Sequence, residues 1–184
     1  MVAASTDSLR TALSGSRGER AEAFASLLER SLDRHLRLAA VILCDRSDAE
    51  DAMSDAALRA WQHVASLRDP DKFDAWFSRI LVNVCRDRLR QRRRSVPLLV
   101  EPATSIDPFT ESAEREALFA ALGQLTPEHR AVIALHFLEG LTVDRIAEQL
   151  GMPAGTVKSR LHYGLSELRA AYEAGSRDPR RAVR

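Results

Sequence analysis

The amino-acid sequence predicts an all-α protein made of two small helical domains joined by a flexible linker. Its 184 residues suffice for one ordinary domain or two small ones, at roughly 100–200 residues per domain. Only 5% of the residues are aromatic, and Ala, Leu, Arg and Glu are abundant, which favours helix. One segment, residues 95–112, holds three of the seven prolines and has no helical period. Proline fixes φ and disfavours helix at the preceding residue, so we expect no long helix to cross this segment.

The linker at residues 95–112 separates a left domain, residues 20–94, from a right domain, residues 113–174. Residues 1–19 are predicted to be a flexible N-terminus, because chain ends are commonly frayed. Residues 175–184, with the sequence GSRDPRRAVR, are predicted to be a basic, disordered tail.

The left domain is predicted to contain three helices, over about residues 20–43, 47–64 and 72–92. Apolar residues recur at helical spacing in each of them. The second helix opens with Ser47, followed three residues later by Glu50, a pattern typical of a capping box. The third helix has a predicted buried stripe formed by Phe73, Trp76, Phe77, Ile80, Leu81 and Val84.

The right domain is predicted to contain four helices, over about residues 117–125, 127–138, 143–150 and 153–172. Thr126 and Thr142 are suited to cap the second and third of these, and Gly140 and Gly151 to end them. The tight turn at residues 151–153 joins the last two helices in the outline of a helix-turn-helix. In that motif the second helix lies in the major groove of DNA. An ordinary helical hairpin is the alternative.

The net charge of +1 suggests no partner by itself, but the charges are segregated. Residues 45–55 carry five acids against one arginine, and Asp48, Asp51 and Asp55 share one helix face. Residues 79–94 carry seven arginines against one aspartate. Such blocks are usually solvated faces, yet a strongly basic helix also matches a phosphate-binding surface.

Two polar helix faces are the candidate DNA-binding surfaces. On the third helix, one straight row has the spacing i, i+4, i+7, i+11 and consists of Arg79, Asn83, Arg86 and Arg90. Guanidinium groups about one turn apart can contact successive phosphates or stack on bases. Aromatic rings beside such cations can hold an unstacked base. On the last helix, the exposed polar face and its flanks consist of Gly155, Thr156, Lys158, Ser159, Arg160, His162, Tyr163 and Ser166.

Several classes of protein are excluded by the sequence. The longest apolar run, residues 38–44, is far shorter than the ~20 residues that span a bilayer, and no secretory signal is present. Cys44 and Cys85 lack metal-ligand spacing and are expected to be buried thiols in a reducing cytoplasm. The five histidines are scattered, with no catalytic motif, so neither an enzyme nor a metal or cofactor site is predicted.

Two segments carry a resemblance to a known family. DPDKFDAWFSRILVNVCRDRLRQRRR, residues 69–94, resembles the promoter-melting helix of region 2 in bacterial RNA polymerase sigma factors. LTPEHRAVIALHFLEGLTVDRIAEQLGMPAGTVKSRLHYGLSELR, residues 125–169, resembles their region 4 helix-turn-helix. Because only these two regions are present, joined by a short linker, the chain is similar to the extracytoplasmic-function (ECF) class.

The resemblance implies a role for each polar face. Region 4 would read the minus-thirty-five element as duplex, through Gly155, Thr156, Lys158, Ser159, Arg160 and His162. Region 2 would capture unstacked bases of the minus-ten element and nucleate melting, through Phe73, Trp76, Arg79, Asn83, Arg86 and Arg90. The turn at residues 67–74 would hold a flipped base.

The resemblance also implies protein partners. Asp48, Asp51 and Asp55 would bind the clamp helices of the largest subunit of core RNA polymerase, and region 4 would contact the flap region. A dedicated anti-sigma factor would hold the protein inactive in the cytoplasm. A stand-alone helix-turn-helix regulator is the alternative, but it would leave the basic and acidic helices of the left domain without a role.

The chain departs from the family pattern at two places. Ser54-Asp55 and Ala56-Ala57 stand where the family commonly has Gln-Glu followed by an aromatic residue. Tyr163-Gly164 stands where a basic residue is often found. The first departure bears on polymerase binding and the second on phosphate contact.

Overall fold

The computed structural model describes residues 6–95 and 113–176, and every regular element in these ranges is helical. The α-helices are α1 (Thr6–Ser14), α2 (Arg17–Leu43), α3 (Arg46–His63), α4 (Phe73–Ser95), α5 (Ala113–Gln124), α6 (Pro127–Phe137), α7 (Val143–Leu150) and α8 (Ala154–Ser176). Two short 3₁₀ helices, Val64–Ser66 and Pro70–Lys72, connect α3 to α4. The all-α prediction is confirmed, whereas most of the predicted linker and of the basic tail lies outside the described residues.

The left domain is built from α2, α3 and α4, which pack together around a shared apolar core. Leu38 and Ile42 of α2 and Phe77 and Leu81 of α4 are fully buried. The short side chain of Ala52 on α3 is also fully buried, which allows the helices to approach closely. This core sets which face of α4 points to solvent.

The predicted flexibility of residues 1–19 is wrong over most of that segment. Leu9 and Leu13 bury one face of α1, at 5% exposure each, and α1 packs on α2. Ser16 then caps α2 in a capping box with Glu19, whose carboxylate accepts from the Ser16 backbone at 2.7 Å. The hydrogen bonds with Ser16 lower the pKa of Glu19.

The start of α3 also differs from the prediction. The N-cap is Asp45, whose side chain accepts from the backbone N–H of Asp48 at 2.9 Å. Ser47 is already inside the helix, so it cannot act as the cap. Glu50 forms an ion pair with Arg46 at 2.8 Å instead of closing a capping box.

In the right domain, the predicted capping residues act as caps. Thr126 and Thr142 cap α6 and α7 with their side chains, and Gly140 and Gly151 have positive φ values of 66° and 64°. α7 and α8, joined by the turn after Gly151, form the predicted helix-turn-helix. Their contact buries Val157 completely.

Val157, Leu161, Leu165 and Leu168 recur at helical spacing and predict a buried stripe on α8, but only Val157 is fully buried, while Leu161 and Leu168 are half-buried. Leu165 is 37% exposed, and Gly164 is the residue that faces α6. A Cβ at Gly164 would approach Cβ of His129 to 3.0 Å and Cδ1 of Ile133 to 3.1 Å. The glycine therefore permits close packing of α6 on α8 and does not lie where a phosphate-binding side chain would be needed.

Both cysteines are free, but they differ in environment. Cys85 is fully buried, as expected, and burial raises its pKa to about 12. Cys44 is half-buried at the C-cap of α2, with a left-handed φ of 52°, and burial also raises its pKa. No helix in the described ranges is long and apolar enough to cross a membrane.

Candidate nucleic-acid and polymerase interfaces

The basic row of α4 lies on the solvent side of the helix. Arg79, Asn83 and Arg90 are exposed and Arg86 is half-buried, whereas Phe77, Leu81 and Val84 on the other side are buried. The row spans eleven residue steps, or about 16 Å along the helix axis. It therefore forms a single continuous surface, as the spacing predicts.

The two aromatic residues assigned to the minus-ten face have different environments. Phe73 is 2% exposed and stacks on Phe77, with ring centroids 5.6 Å apart. It also meets the edge of Phe24 at 5.9 Å. A ring enclosed in this way cannot stack on a base, so the assignment of Phe73 to DNA binding is wrong. Trp76 is half-buried, with its centroid 6.0 Å from that of Phe73, and part of it faces solvent.

The turn between α3 and α4 is held in place by contacts with helix α1 near the N-terminus. Leu67 and Pro70 are buried, and the Asp69 side chain accepts from the backbone N–H of Asp71 at 3.2 Å. Oγ1 of Thr6 donates to Asp71 Oδ1 at 3.1 Å, and Arg10 Nη2 lies 3.7 Å from Asp69 Oδ1. Helix α1 therefore touches the turn proposed to hold a flipped base.

The sequence analysis does not predict this contact of α1 with the turn, although the sequence contains a signal for α1. Leu9 and Leu13 have the i, i+4 spacing of one buried helix face, and Ser16 with Glu19 has the spacing of a capping box. Together they mark a short helix and the start of the next helix in the part of the chain expected to be flexible.

The acidic block of α3 and part of the basic block of α4 neutralise each other. Arg88 Nη2 lies 2.6 Å from Asp55 Oδ2, and Arg88 Nη1 lies 3.5 Å from Asp51 Oδ2. Arg92 forms an ion pair with Asp48. Arg88 and Arg92 lie off the row that begins at Arg79, so α4 has one basic side facing solvent and another paired with α3.

The acidic residues of α3 are unequally accessible. The Asp48 side chain is only 19% exposed, compared with 47% for Asp55 and 66% for Asp51. Leu58 continues the face that carries Asp51 and Asp55, and it is 64% exposed. The outward side of α3 therefore presents two carboxylates and one apolar side chain to solvent.

The predicted reading face of α8 is open at its centre. Gly155, Lys158, Ser159 and His162 are exposed, and no atom lies within 4 Å of a Cβ built on Gly155. Thr156 is half-buried, and its carbonyl accepts from Ser159 Oγ at 3.0 Å.

Arg160 lies at the edge of this face. It is half-buried, with Nη1 3.5 Å from the sulfur of Met152. The exposed side of α8 is therefore polar along its first two turns, with backbone accessible at the glycine. This surface is suited to close approach by a large polar partner.

Comparison with known proteins identifies both domains. Residues 27–95 match the family model described as Sigma-70 region 2, and residues 121–170 match Sigma-70, region 4. The chain is 35% identical over 150 residues to the RNA polymerase sigma-E factor of Streptomyces avermitilis, covering 80% of this chain and 84% of that protein. It is 34% identical over 160 residues to the ECF RNA polymerase sigma factor SigL of Mycobacterium tuberculosis, covering 81% and 90%.

The chain belongs to the ECF family of RNA polymerase sigma factors. A solved structure, that of CnrH in complex with the cytosolic domain of CnrY, is 26% identical and superposes with a TM-score of 0.63. The superposition covers 92% of this chain and 97% of that one. This ECF sigma factor is therefore a bacterial transcription initiation factor, which binds core RNA polymerase and directs it to promoters.

All the candidate site residues fall inside the two matched regions. The α3 acids and the α4 row lie in region 2, and the exposed face of α8 lies in region 4. Helix α1 precedes the region 2 match. Thr6 and Arg10, which contact the turn, therefore lie outside the residues matched to region 2.

Proposed function

We propose that this sigma factor divides promoter recognition between its two exposed polar faces. The face of α8 reads the minus-thirty-five element as duplex, and the row on α4 captures and melts the minus-ten element. The single observation that carries the proposal is that each domain exposes one such face on a helix whose opposite side is buried. The paired side of α4 has a different role, since it holds α3.

The α8 face has the shape needed for duplex DNA. A helix about 10–12 Å wide fits the major groove, which is about 12 Å wide in B-DNA. Lys158 and Ser159 lie near the N-terminal end of α8, where helix-turn-helix proteins contact base edges. Gly155 has no side chain to hold the sugar-phosphate backbone away.

The α4 row has the chemistry needed for melted DNA. Its three arginines can bind phosphates, and its length of about 16 Å matches roughly five nucleotides at 3.4 Å each. Asn83 carries no charge but offers both donors and an acceptor, which suits hydrogen bonding to an exposed base edge. The solvent-facing part of Trp76 provides a surface on which a base could stack.

The outward face of α3 is proposed as the contact with the clamp helices of the largest polymerase subunit. Asp51 and Asp55 supply charge, and Leu58 supplies apolar area. Asp48 contributes less to this contact because most of its side chain is covered and paired with Arg92. A contact of region 4 with the flap region completes polymerase binding.

We also propose that an anti-sigma factor controls this protein. The support is the likeness to CnrH, whose solved structure contains the cytosolic domain of CnrY. The proposed site of action is the cytoplasm, where core polymerase and promoter DNA are found, and the proposed role involves no catalytic residue or cofactor of the sigma factor itself.

In vitro transcription with core polymerase on genomic fragments tests this function. The expected result is a small set of specific start sites that require the sigma factor. A DNA shift assay with and without core polymerase distinguishes the alternative of a stand-alone regulator. Tight, sequence-specific binding by the free protein at physiological salt would favour that alternative, because linked weak readers gain their affinity only when both are held in register.

A further inference from the structure

Helix α1 is fixed to region 2 along its length and at its C-terminal end. Leu9 and Leu13 bury its inner face in the same apolar core that contains Leu67, in the turn between α3 and α4. Carbonyls at the C-terminal end of a helix lack partners within the helix. Here Arg20 of α2 supplies them, since its Nε donates to the carbonyl of Leu13 and its Nη2 to that of Gly15, both at 3.1 Å. The N-terminal end of α1 is thereby held next to the turn.

This end of α1 offers two donors to the turn, each to a different aspartate. Oγ1 of Thr6 donates to Asp71 Oδ1 at 3.1 Å. Nη2 of Arg10 lies 3.7 Å from Asp69 Oδ1, the same oxygen that accepts from the backbone N–H of Asp71 at 3.2 Å. Thr6 and Arg10 are four residues apart, so both side chains lie on one face of α1. They act together on the carboxylates that shape the turn.

The two aspartates lie close to the proposed path of the DNA. Arg79, the first member of the exposed row, is six residues beyond the start of α4, or about 9 Å along the helix. Asp71 is exposed, and 35% of the Asp69 side chain is exposed. Each nucleotide carries one negative charge, so unpaired carboxylates at this place would repel the strand. Arg10 offsets the charge of Asp69, and Thr6 fixes the direction of the Asp71 carboxylate.

An ordered turn lowers the free-energy cost of capturing a base. A loop that becomes ordered only on binding loses conformational entropy at that moment, whereas a loop ordered on folding has already lost it. The backbone of the turn is anchored from within by the buried Leu67 and Pro70. The side chains of Asp69 and Asp71 lie at the surface, and α1 supplies them with partners from outside the turn.

We propose that Thr6 and Arg10 are positioning residues for base selection in the minus-ten element. They hold the turn at residues 67–72 in the shape that accepts a flipped base, and they act through Asp71 and Asp69 rather than by touching DNA. This role rests on the proposed function, since it requires a base of the minus-ten element to be held beside the α4 row. Both residues precede the match to region 2, which begins at residue 27.

Hydrogen exchange of the free protein tests whether α1 orders the turn. Thr6→Val removes the hydroxyl with little change of shape, and Arg10→Ala removes the guanidinium. The amides of Asp71 and Lys72 bond to the side chain and the carbonyl of Asp69. In the double variant these amides should exchange about three- to tenfold faster, because a net hydrogen bond is lost, while the amides of α2 and α4 should be unchanged.

Binding of the holoenzyme to pre-melted templates tests base selection. Each minus-ten position carries each of the four bases in turn, or an abasic site. A position at which loss of the base weakens wild-type binding is a captured position. There the double variant should discriminate between the best and worst base about three- to tenfold less than the wild type. Its affinity for the abasic template should be unchanged, because that template has no base to capture.

The chain offers a matched control for each substitution. Thr11→Val is the same change on the same helix, at an exposed threonine whose hydroxyl donates to the carbonyl of Asp7 at 3.0 Å. Arg17→Ala removes an exposed cation from the start of α2. Both controls should select bases like the wild type. Thr6→Ser keeps the donor and should restore selection. Circular dichroism checks that the helices remain, and if the double variant loses helix, Thr6→Val alone decides the question.

The outcomes separate this inference from the proposed function. Unchanged exchange in the turn, or unchanged discrimination at a captured position, would overturn the inference. A uniform loss of affinity on every template, including the abasic one, would also overturn it, since a merely structural role has that effect. A wild type that binds every abasic template normally contradicts the proposed capture of a base instead. The exchange rates of the turn then decide by themselves whether α1 orders it.

Discussion

The two sides of helix α4 contain the same kind of residue but have different roles. Arg88 contacts Asp51 and Asp55, and Arg92 pairs with Asp48, so this side holds α3 against α4. The side that begins at Arg79 faces solvent and is proposed to bind DNA. Charge alone therefore does not identify a nucleic-acid surface. The decisive feature is whether another element of the fold already supplies the counter-charge.

The same contrast applies to aromatic residues, and it predicts the largest effect. Phe73→Ala should destabilise region 2 by about 3–5 kcal/mol, because it empties a fully enclosed site in the core. Trp76→Ala should cost less, about 1–2 kcal/mol, since that ring is already partly in water. Urea unfolding of both variants measures the difference.

The two variants should rank in the opposite order in their effect on promoter melting. At a temperature where both variants are folded, Trp76→Ala should lower open-complex formation, and Phe73→Ala should not. Equal stability losses would contradict the burial difference, and normal melting by Trp76→Ala would remove that ring from the proposed DNA surface.

The next prediction concerns the uncharged member of the exposed row. Asn83→Ala should lower the yield of open complex about tenfold, which corresponds to about 1.4 kcal/mol. A template already melted across the minus-ten element should restore opening, although not base preference. Permanganate footprinting on duplex and pre-melted templates measures both effects.

Gln124→Ala is the matched control, since it removes an exposed amide from the end of α5. The salt dependence of binding should remain nearly unchanged in Asn83→Ala, because no phosphate contact is lost. Normal opening of duplex promoters by this variant would show that the melting site is not on the Arg79–Arg90 row.

Local signals in the sequence predict much of this fold, and the misses have two causes. The local signals of α1 and of the Asp45 cap were overlooked, and other contacts join residues far apart in sequence. Thr126, Thr142 and Gly151 act on backbone within a few residues, so the starts of α6 and α7 and the end of α7 are predicted to the residue. Glu139 and Arg34 are 105 positions apart in the sequence, so no short-range sequence pattern indicates that they are in contact. Periodicity places Phe73 and Trp76 together on one helix, but only the packing of α2 and α3 decides which ring is enclosed.

The acidic surface of α3 provides the third prediction. Asp51→Lys should weaken competition for core polymerase about tenfold and lower stability by less than Asp55→Lys does, because the Asp51 contact with Arg88 is longer, at 3.5 Å, and 66% of the Asp51 side chain is exposed. Asp55→Lys should weaken core binding similarly but also cost about 0.5–1 kcal/mol, since it places a cation beside Arg88.

Competition against a second sigma factor, together with thermal unfolding, tests this pair of variants. Glu29→Lys is the control, because it reverses an exposed charge on α2, away from the proposed contact. If Asp51→Lys and Glu29→Lys compete equally well, the outward face of α3 is not the polymerase surface.

The smallest expected effect is on the reading helix of region 4, where a single cation is removed from an exposed position. Lys158→Ala should reduce promoter affinity only a few-fold near 0.15 M salt. Loss of one phosphate contact should reduce the slope of log affinity against log salt concentration by about 0.9.

Arg169→Ala serves as the control because Arg169 lies on the same helix, is 83% exposed and pairs with Glu173. Titration of the holoenzyme on one promoter at four salt concentrations measures the slope. Here the comparison with Asn83→Ala is most informative, because that variant should change melting without changing the slope. An unchanged slope in Lys158→Ala would mean that Lys158 does not bind a phosphate, and a loss of preference at one base pair would place it on a base edge instead.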